Sequence, residues 1–323
     1  MSRHPSDTAR LGRIEDGPLG RTRVPRYGDG MRAPREVEVT RPDKLLWPDD
    51  AVTKRTYVEY LASVAHRMLP WLRRRPLTLV RAPDGVDGER YFQKAVSSYA
   101  PDWIRRVRVP APSAKRDVDY VVCDDAATLA WLGNQAALEL HPAPVRVDRL
   151  ERPDLLLLDI DPPDGGFRAA VDVALVTLEI LDELELAAGV KTTGGKGLHV
   201  VVPVERRLSG QELRSAASRL TELVAERMPG AVTSAFRKAD RDGRVMIDPS
   251  RNMPGATFVA PYSTRARPGA PVSFPVGRRD LPEVEPWEFT VEAVPRLLDG
   301  PGPRAWHELS SIHQRLPSSL VTD

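Results

Sequence analysis

Two aspartates at the end of an apolar run are the first residues whose spacing suggests chemistry. Residues 155–161 read Leu-Leu-Leu-Leu-Asp-Ile-Asp. Side chains alternate along a β-strand, so Asp159 and Asp161 point to the same face. Adjacent anions need protons or cations to offset their repulsion, and carboxylate oxygens suit Mg²⁺ or Mn²⁺. The pair predicts a metal site, with the alternative that both residues only lead into the turn of residues 162–165.

A third carboxylate ends a second apolar run. Residues 245–247 are Val, Met and Ile, and Asp248 follows them. Three carboxylates make a two-metal site possible, in which the ions activate a 3′ hydroxyl and stabilise the leaving pyrophosphate. Nucleotidyl transfer demands this chemistry. The alternative is that Asp248 caps the turn of residues 249–252.

A glycine-rich segment with one lysine lies between the two runs. Residues 192–199 read Thr-Thr-Gly-Gly-Lys-Gly-Leu-His, in which glycines permit close backbone approach to an anion and Lys196 supplies charge. It is not a Walker A loop, because Val190 and Gly197 stand where that motif requires Gly and Ser or Thr. His199 shares a strand face with Val201. It is either a core histidine or a donor to phosphate.

Strands and helices alternate around these motifs. Strand-like runs cover residues 155–161, 198–204 and 245–248, while helical spacing of apolar residues covers 53–68, 167–186 and 211–228. Thr53 is a reasonable N-cap for the first helix. The pattern predicts an α/β or α+β core in which helices cover a sheet. Beyond residue 263, Pro and Gly predict loops and a short helix.

Composition narrows the class of protein. The chain has 323 residues, 41% hydrophobic and 28% charged, as expected of a globular protein. Its single cysteine, Cys123, excludes an intrachain disulfide and a multi-cysteine zinc site, and its apolar surroundings predict a buried small hydrophobe. No apolar run spans a bilayer and the N-terminus does not resemble a signal peptide, so we expect a cytoplasmic protein without membrane contact.

Charge is uneven along the chain. The net charge is only +2, but residues 54–108 hold 12 Lys or Arg against 5 Asp or Glu. This excess predicts a basic surface that could face nucleic acid, with a solvated arginine-rich surface as the alternative. Residues 1–35 lack apolar periodicity and predict a flexible arm.

The order and spacing of the motifs resemble the archaeo-eukaryotic primase superfamily, and within it the polymerase domain of bacterial DNA ligase D. The motifs are Asp159-Ile160-Asp161-Pro162, Thr193-Gly194-Gly195-Lys196-Gly197-Leu198-His199 and Ile247-Asp248, with similar flanking segments at residues 43–48, 81–85, 91–94, 138–142 and 259–263. The resemblance implies a primase-like α/β (α+β) catalytic core with central β-sheets flanked by helices. We therefore expect an N-terminal arm over residues 1–35, a polymerase domain over 36–300 and a C-terminal tail over 301–323.

The resemblance also implies roles for individual residues. Two metal ions, Mn²⁺ or Mg²⁺, would be bound by the catalytic residues Asp159, Asp161 and Asp248. The incoming nucleotide would be bound by His141, Thr193, Lys196, His199 and Arg265. The DNA would be bound by Phe92, which stacks on a template base, and by Lys44 and Lys54, which grip a 5′ phosphate on the downstream strand.

The function implied is that of a template-directed polymerase that extends primers and fills short gaps in double-strand break repair by non-homologous end joining. It would prefer Mn²⁺ and accept ribonucleotides. Its partners would be gapped or broken DNA, nucleoside triphosphates and, because no ligase module follows residue 323, a separate DNA ligase and a Ku-type end-binding protein near the bacterial nucleoid. Two departures are Tyr91 in place of the first Phe of a Phe-Phe pair, and Pro249 after Asp248. The alternatives are a primase that starts chains de novo, and a DNA-end-binding scaffold without catalysis, against which the three aspartates argue.

Overall fold

The structure is a computed structural model that describes residues 21–22, 35–111 and 116–321. The predicted flexible arm, residues 1–35, lies outside the described residues apart from residues 21–22 and residue 35. Arg21–Thr22 pairs antiparallel with Val37–Glu38.

Five α-helices occur in the described part of the chain. They are α1 (Lys54–Leu72), α2 (Ala126–Asn134), α3 (Phe167–Glu183), α4 (Gly210–Arg227) and α5 (Pro301–Leu309). The three helices predicted from apolar spacing are confirmed as α1, α3 and α4. Thr53 caps α1 as predicted, because its side chain accepts a hydrogen bond from the Thr56 N–H.

The described strands, in chain order, are β1 (Arg21–Thr22), β2 (Val37–Glu38), β3 (Leu45–Trp47), β4 (Val52–Thr53), β5 (Pro76–Arg81), β6 (Tyr91–Gln93), β7 (Arg106–Ala111), β8 (Arg116–Val122), β9 (Ala137–Pro142), β10 (Val145–Arg146), β11 (Arg149–Pro153), β12 (Leu155–Asp161), β13 (Gly189–Thr192), β14 (Leu198–Pro203), β15 (Val232–Thr233), β16 (Val245–Asp248) and β17 (Pro275–Val276). The predicted strands correspond to β12, β14 and β16.

A six-stranded sheet in the order β15-β16-β12-β14-β13-β17 positions the predicted site. Its strands pair antiparallel except for β15 and β16, which are parallel. On one face Leu158 and Val200 belong to the main core, which also contains apolar residues of α3 and α4. On the other face Leu157 and Val201 pack in a second cluster with Phe258. The strand alternation predicted for residues 198–202 is therefore confirmed.

A second sheet of five strands was not predicted. It has the order β6-β5-β8-β7, with β9 on the other side of β5. The helices α1 and α2 contribute to the core beside it. Strand β5 is buried at every position and so shows no alternation of apolar and polar residues.

A buried ion-pair cluster connects β5 to β12. Asp154, just before β12, accepts hydrogen bonds from both terminal nitrogens of Arg75 at 2.5 and 2.8 Å, and from Arg146 Nε at 2.6 Å. Arg75 and Asp154 are almost inaccessible to solvent. Burial acts to raise the pKa of Asp154, but the charges and hydrogen bonds of the two arginines outweigh it and lower that pKa.

Residues 301–321, assigned to the predicted tail, pack against the six-stranded sheet. Trp306 of α5 is buried, and its indole donates to the Val190 carbonyl at 3.0 Å. Gln314 bonds the backbone of Ala187 through both its amide atoms, at 2.9 and 2.7 Å. Leu320 is also buried. The short helix predicted beyond residue 263 is therefore present as α5, and it covers one end of the sheet.

Cys123 is buried, as predicted, and burial raises the pKa of its thiol. In the described segments, no helix is both long enough and apolar enough to cross a bilayer.

Candidate active site

Strand register aligns the polar residues of the predicted site in one row across the six-stranded sheet. Asp159 of β12 lies opposite Asp248 of β16 on one side and opposite His199 of β14 on the other. His199 in turn lies opposite Lys191 of β13. Because side chains alternate, this row shares its face with the apolar cluster around Leu157. On this face, the first residues of β12 belong to an apolar cluster and the last residues belong to the charged site.

Asp159 is the centre of the row. Its Oδ2 accepts a hydrogen bond from Arg251 Nε at 2.8 Å, and its Oδ1 lies 3.4 Å from His199 Nε2. Burial acts to raise the pKa of Asp159, but His199 and Arg251 outweigh it and hold that pKa well below its usual range. Asp159 is therefore a buried carboxylate that stays ionised across the physiological range.

The other two aspartates have different neighbours. Asp161 accepts a hydrogen bond from Arg241 Nη1 at 2.8 Å and lies 3.6 Å from Lys196 Nζ. Asp248 Oδ1 accepts from the Ser250 N–H at 2.8 Å, while its Oδ2 lies 3.8 Å from Arg251 Nε. Asp248 therefore caps the following turn, as the alternative interpretation held, and also presents its second oxygen to the site.

The three carboxylates occupy neighbouring positions on one face of β12 and β16. Within residues 35–111 and 116–321, no three or more His, Cys, Asp or Glu side chains are already arranged to hold a metal ion. Asp159 and Asp161 each turn an oxygen toward an arginine, and Asp248 turns one toward the backbone. The donor set itself consists of hard oxygens in close register, which is the chemistry that Mg²⁺ and Mn²⁺ require.

The glycine-rich segment forms a tight turn between β13 and β14. The backbone N–H of Thr193 donates to the Gly197 carbonyl at 3.0 Å, and Gly194 has φ +65°. A glycine is favoured there because left-handed backbone is strained for other residues. Arg265 donates to the Thr193 carbonyl at 2.8 Å. The Lys196 ammonium lies near Asp164, at 3.1 Å, on the exposed side of the turn.

Two of the predicted nucleotide-binding residues are histidines, of which His199 is buried and His141 is half-buried. His199 has no hydrogen-bond partner at Nδ1, and burial together with the charge of Lys191 lowers its pKa to about 4. His141 lies 2.8 Å from Glu139 through Nε2, and burial lowers its pKa despite that carboxylate. Both rings are therefore neutral near pH 7. Arg265 Nε lies 3.0 Å from Glu139 Oε2, and this pair of side chains joins His141 to the glycine-rich turn.

The predicted DNA-binding residues lie on the N-terminal part of the chain. The backbone N–H of Lys54 donates to the Lys44 carbonyl at 2.8 Å, so the backbones of the two lysines are neighbours. The Lys54 ammonium is buried and donates to the Thr40 carbonyl at 2.7 Å, and burial and the charge of Lys44 lower its pKa. Lys44 pairs with Asp84 at 2.6 Å. Phe92 is 75% exposed at the edge strand β6.

Phe92 shares a sheet face with His141, one of the two histidines predicted to bind the nucleotide. It lies opposite Val80 of β5, whose partner on the far side is Glu139 of β9. His141 is two residues further along β9 and so points to the same face. An exposed aromatic ring therefore stands two strands from His141.

Sequence reasoning missed several residues of the site. Arg241 and Arg251 contact the aspartates, Glu139 contacts His141 and Arg265, and Asn252 bonds the backbone of β12. Lys191 is fully buried and donates to Ser273 Oγ at 2.6 Å. Arg251 could have been found from its position three residues after Asp248, but Arg241 and Glu139 have no local signal.

The fold and site define the class to which this protein belongs. The structure resembles the solved polymerase domain from Mycobacterium tuberculosis ligase D in complex with DNA, with a TM-score of 0.79 and 30% sequence identity over 87% of this chain and 99% of that chain. The model of the family described as LigD, primase-polymerase domain matches residues 53–312. The chain belongs to this family. The predicted resemblance and the predicted fold class are confirmed.

Longer relatives contain a matching region. The multifunctional non-homologous end joining protein LigD of Pseudomonas aeruginosa is 32% identical over 306 residues, which are 94% of this chain and 36% of that protein. The bifunctional non-homologous end joining protein LigD of Bacillus subtilis is 28% identical over 262 residues, 80% of this chain and 42% of that protein. The chain thus spans well under half the length of these relatives.

Proposed function

We propose that this protein is a metal-dependent, template-directed nucleotidyltransferase that extends primers and fills short gaps at DNA breaks. The observation that carries the proposal is the row of Asp248, Asp159 and His199 across three adjacent strands, with the turn of residues 193–197 at the edge of β14. Membership of the LigD primase-polymerase family supports it. A scaffold without catalysis has no need of these carboxylates in register.

The donor set fits two divalent cations, Mn²⁺ or Mg²⁺, held by Asp159, Asp161 and Asp248. When bound, such ions supply activation of the primer 3′ hydroxyl and stabilisation of the leaving pyrophosphate. Arg241 and Arg251 balance the charge of the carboxylates in this structure. A cation must therefore compete with both guanidinium groups for the same oxygens, so metal affinity and the positions of these arginines are linked.

The incoming nucleotide would lie against the turn of residues 193–197. Lys196 and Arg265 supply positive charge, and Thr193 supplies a hydroxyl on the same turn. His199 is neutral and buried, and its unpartnered Nδ1 is a group that needs a hydrogen-bond partner. His141, oriented by Glu139, would contact the nucleotide from the second sheet.

DNA would lie against the surface that carries Phe92, Lys44 and Lys54. Phe92 offers an exposed ring for stacking on a template base, which tolerates any sequence. Lys44 and Lys54, joined through their backbones, would grip the 5′ phosphate on the far side of a gap. A terminal phosphate carries more charge than a phosphodiester, so this pair would distinguish gapped DNA from an open primer end.

The biological setting follows from the relatives. Their names place them in non-homologous end joining, and the solved domain is in complex with DNA. We infer the same setting here, with a DNA ligase and a Ku-type end-binding protein as partners and with ribonucleotides accepted as substrates.

The experiment compares three substrates with the wild-type chain. Gapped DNA with a 5′ phosphate, a primed template without a downstream strand, and a single strand without primer are each given nucleotides with Mn²⁺, with Mg²⁺ or with a chelator. We expect metal-dependent addition that is fastest on the gap. Product from the unprimed strand would instead indicate a primase, and DNA binding without any addition would indicate a scaffold.

A further inference from the structure

Phe236 is an aromatic residue whose ring lies in solvent while its backbone is held in place. It is 78% exposed, the largest exposed fraction among the large hydrophobic residues of the described chain. The Phe236 carbonyl accepts a hydrogen bond from Arg241 Nη2 at 3.0 Å, and the preceding Ala235 carbonyl accepts one from Arg241 Nε at 3.1 Å. Single exposed apolar residues are common on protein surfaces, so the position of this ring decides whether it has a role.

The same arginine connects Phe236 to the aspartates of the candidate site. Arg241 is largely buried, and its Nη1 donates to Asp161 Oδ2 at 2.8 Å. One guanidinium therefore contacts both the Phe236 backbone and a proposed catalytic carboxylate. Strand β15 pairs parallel with β16, so the chain beyond Thr233 continues in the direction in which β16 runs to Asp248. The backbone of Phe236 thus lies beside the carboxylates, on the β15 side of the sheet.

This side is opposite to the one proposed for the nucleotide. In the sheet order, β15 and β16 lie on one side of β12, while β14 and β13, with the glycine-rich turn between them, lie on the other. Lys196 of that turn lies 3.6 Å from Asp161 Oδ1, whereas Arg241 bonds Oδ2. The attacking and leaving oxygens of phosphoryl transfer are roughly in line, so the two substrates approach the reacting phosphorus from opposite sides. The primer 3′ end therefore belongs on the β15 side.

Two basic residues follow the exposed ring in the sequence. Arg237 and Lys238 are both exposed, and within the described segments neither side chain forms an ion pair with an acidic residue. An aromatic ring beside basic side chains is the combination by which proteins bind nucleic-acid strands without sequence preference, through base stacking and phosphate contacts. The segment of residues 236–238 has this combination next to the carboxylates.

We propose that Phe236 is a primer-binding residue, whose ring stacks on the 3′-terminal base of the primer while Arg237 and Lys238 contact phosphates of the same strand. The inference rests on the proposed function and gives a site to the primer, in addition to those proposed for the template base and the downstream 5′ phosphate. Stacking on the terminal base would hold the 3′ hydroxyl near Asp161 and Asp248. Because every base has a flat face, the contact suits primer ends of any sequence.

The first test compares the full chain with Phe236→Ala, Phe236→Leu, Phe236→Tyr and the control Trp287→Ala. Trp287 is 69% exposed and lies on a different surface segment, Pro286–Glu288. At saturating nucleotide we expect Phe236→Ala to raise the KM for gapped DNA roughly five- to a hundredfold, the range for stacking one base on an aromatic ring. Phe236→Tyr should stay close to wild type, and Phe236→Leu should lose more than Phe236→Tyr because it lacks a flat ring. A Phe236→Ala variant that matches the control overturns the inference.

A second test locates the contact by removing the base instead of the ring. Binding of gapped DNA is measured with an abasic residue in place of the 3′-terminal primer base, or in place of the template base opposite the gap. If the ring stacks on the primer base, the abasic primer should weaken binding at least about fivefold more for wild type than for Phe236→Ala, since the two changes remove one contact. Equal losses in both proteins, or a difference seen only with the abasic template, overturn the inference.

A nucleotide titration separates the primer from the other substrate. A fluorescent nucleoside triphosphate is titrated without DNA, and we expect Phe236→Ala to bind it as wild type does. A weakened affinity for the nucleotide alone contradicts the assignment of Phe236 to the primer. A wild type that binds gapped DNA but adds no nucleotide contradicts the proposed function instead, and the abasic-primer measurement still decides the role of Phe236.

Discussion

Replacing Asn252 with Ala should destabilise the fold at β12, the strand that carries two of the proposed catalytic aspartates. The Asn252 side chain accepts from the Leu157 N–H at 2.8 Å and donates to the Leu157 carbonyl at 2.8 Å. Its amide nitrogen also donates to the Pro249 carbonyl at 2.9 Å. Leu157 lies two residues before Asp159, which is paired with Asp248, the last residue of β16. The Asn252 side-chain amide thus forms hydrogen bonds to the backbone of β12 beyond the point where β16 has ended.

The magnitude follows from the groups left without partners. The substitution leaves a backbone N–H and a backbone C=O of Leu157 unpaired in a buried place, at about 1–3 kcal/mol for each group. Water entering the space left by the side chain would recover part of this. We therefore expect the free energy of unfolding to fall by about 2–4 kcal/mol, which is a large fraction of the stability of a typical domain.

Urea unfolding of wild type and Asn252→Ala measures this difference. The control is Gln211→Ala on α4, whose exposed side-chain amide makes no hydrogen bond among the described residues and should change stability by less than about 0.5 kcal/mol. Nucleotide addition by Asn252→Ala should fall as well, because the same turn fixes Asp248. A change in stability no larger than that of the control would refute the view that Asn252 completes the ladder.

Three further predictions concern the ion-pair cluster, the nucleotide and the DNA end. Asp154→Asn should lower the free energy of unfolding by about 3–5 kcal/mol near pH 7, because a buried guanidinium loses its carboxylate. The pKa of Asp154 is lower in the folded protein than in the unfolded chain, where it is about 3.9. The contribution of this carboxylate to stability is therefore complete above about pH 3.9 and is lost as the pH falls through the folded-state pKa. The free energies of unfolding of wild type and Asp154→Asn should converge in acid. Lys196→Ala and His199→Ala should each raise the nucleotide KM or lower kcat roughly ten- to hundredfold in primer extension. The double variant Lys44→Ala, Lys54→Ala should lose the preference for gapped DNA with a 5′ phosphate over the same gap with a hydroxyl, and in wild type that preference should fade as salt rises.

Each of these has an outcome that counts against it. A constant difference between wild type and Asp154→Asn from pH 7 to pH 3 would mean that the carboxylate does not titrate as its surroundings require. Full nucleotide affinity and turnover in both Lys196→Ala and His199→Ala would leave the glycine turn without a role in catalysis. If wild type ignores the 5′ phosphate, or the double variant keeps the preference, the lysines are not the end sensor.

The sequence predicted the strands that carry the chemistry because they are short and apolar and end in carboxylates. Alternation alone placed Asp159 and Asp161 on one face of their strand and His199 with Val201 on one face of another, and the register of β12 and β14 brings these two faces together. The five-stranded sheet could not be predicted, because β5 is buried on both faces and shows no period. Its pairing with β9 is a non-local contact with no turn signal to reveal it.

Charge along the sequence does not show which basic residues are paired in the fold. The excess of basic residues in 54–108 is offset in part by acids from elsewhere in the chain, as Arg75 pairs with Asp154 and Arg105 with Asp124. The arginines that matter at the site, Arg241 and Arg251, come from outside that window and reach the aspartates only through β16 and its flanking turns. Family resemblance located the motif residues, but their cationic partners required the fold.

The measurement that tests the central claim most directly is nucleotide addition to gapped DNA by Asp159→Asn. This substitution keeps the size of the side chain and removes the charge at the centre of the row. We expect the rate with Mn²⁺ or Mg²⁺ to fall by at least about 10³-fold, roughly 4 kcal/mol of transition-state stabilisation, while DNA affinity stays within about threefold. Activity within tenfold of wild type at equal DNA binding would contradict the assignment of Asp159, Asp161 and Asp248 as the catalytic metal-binding residues.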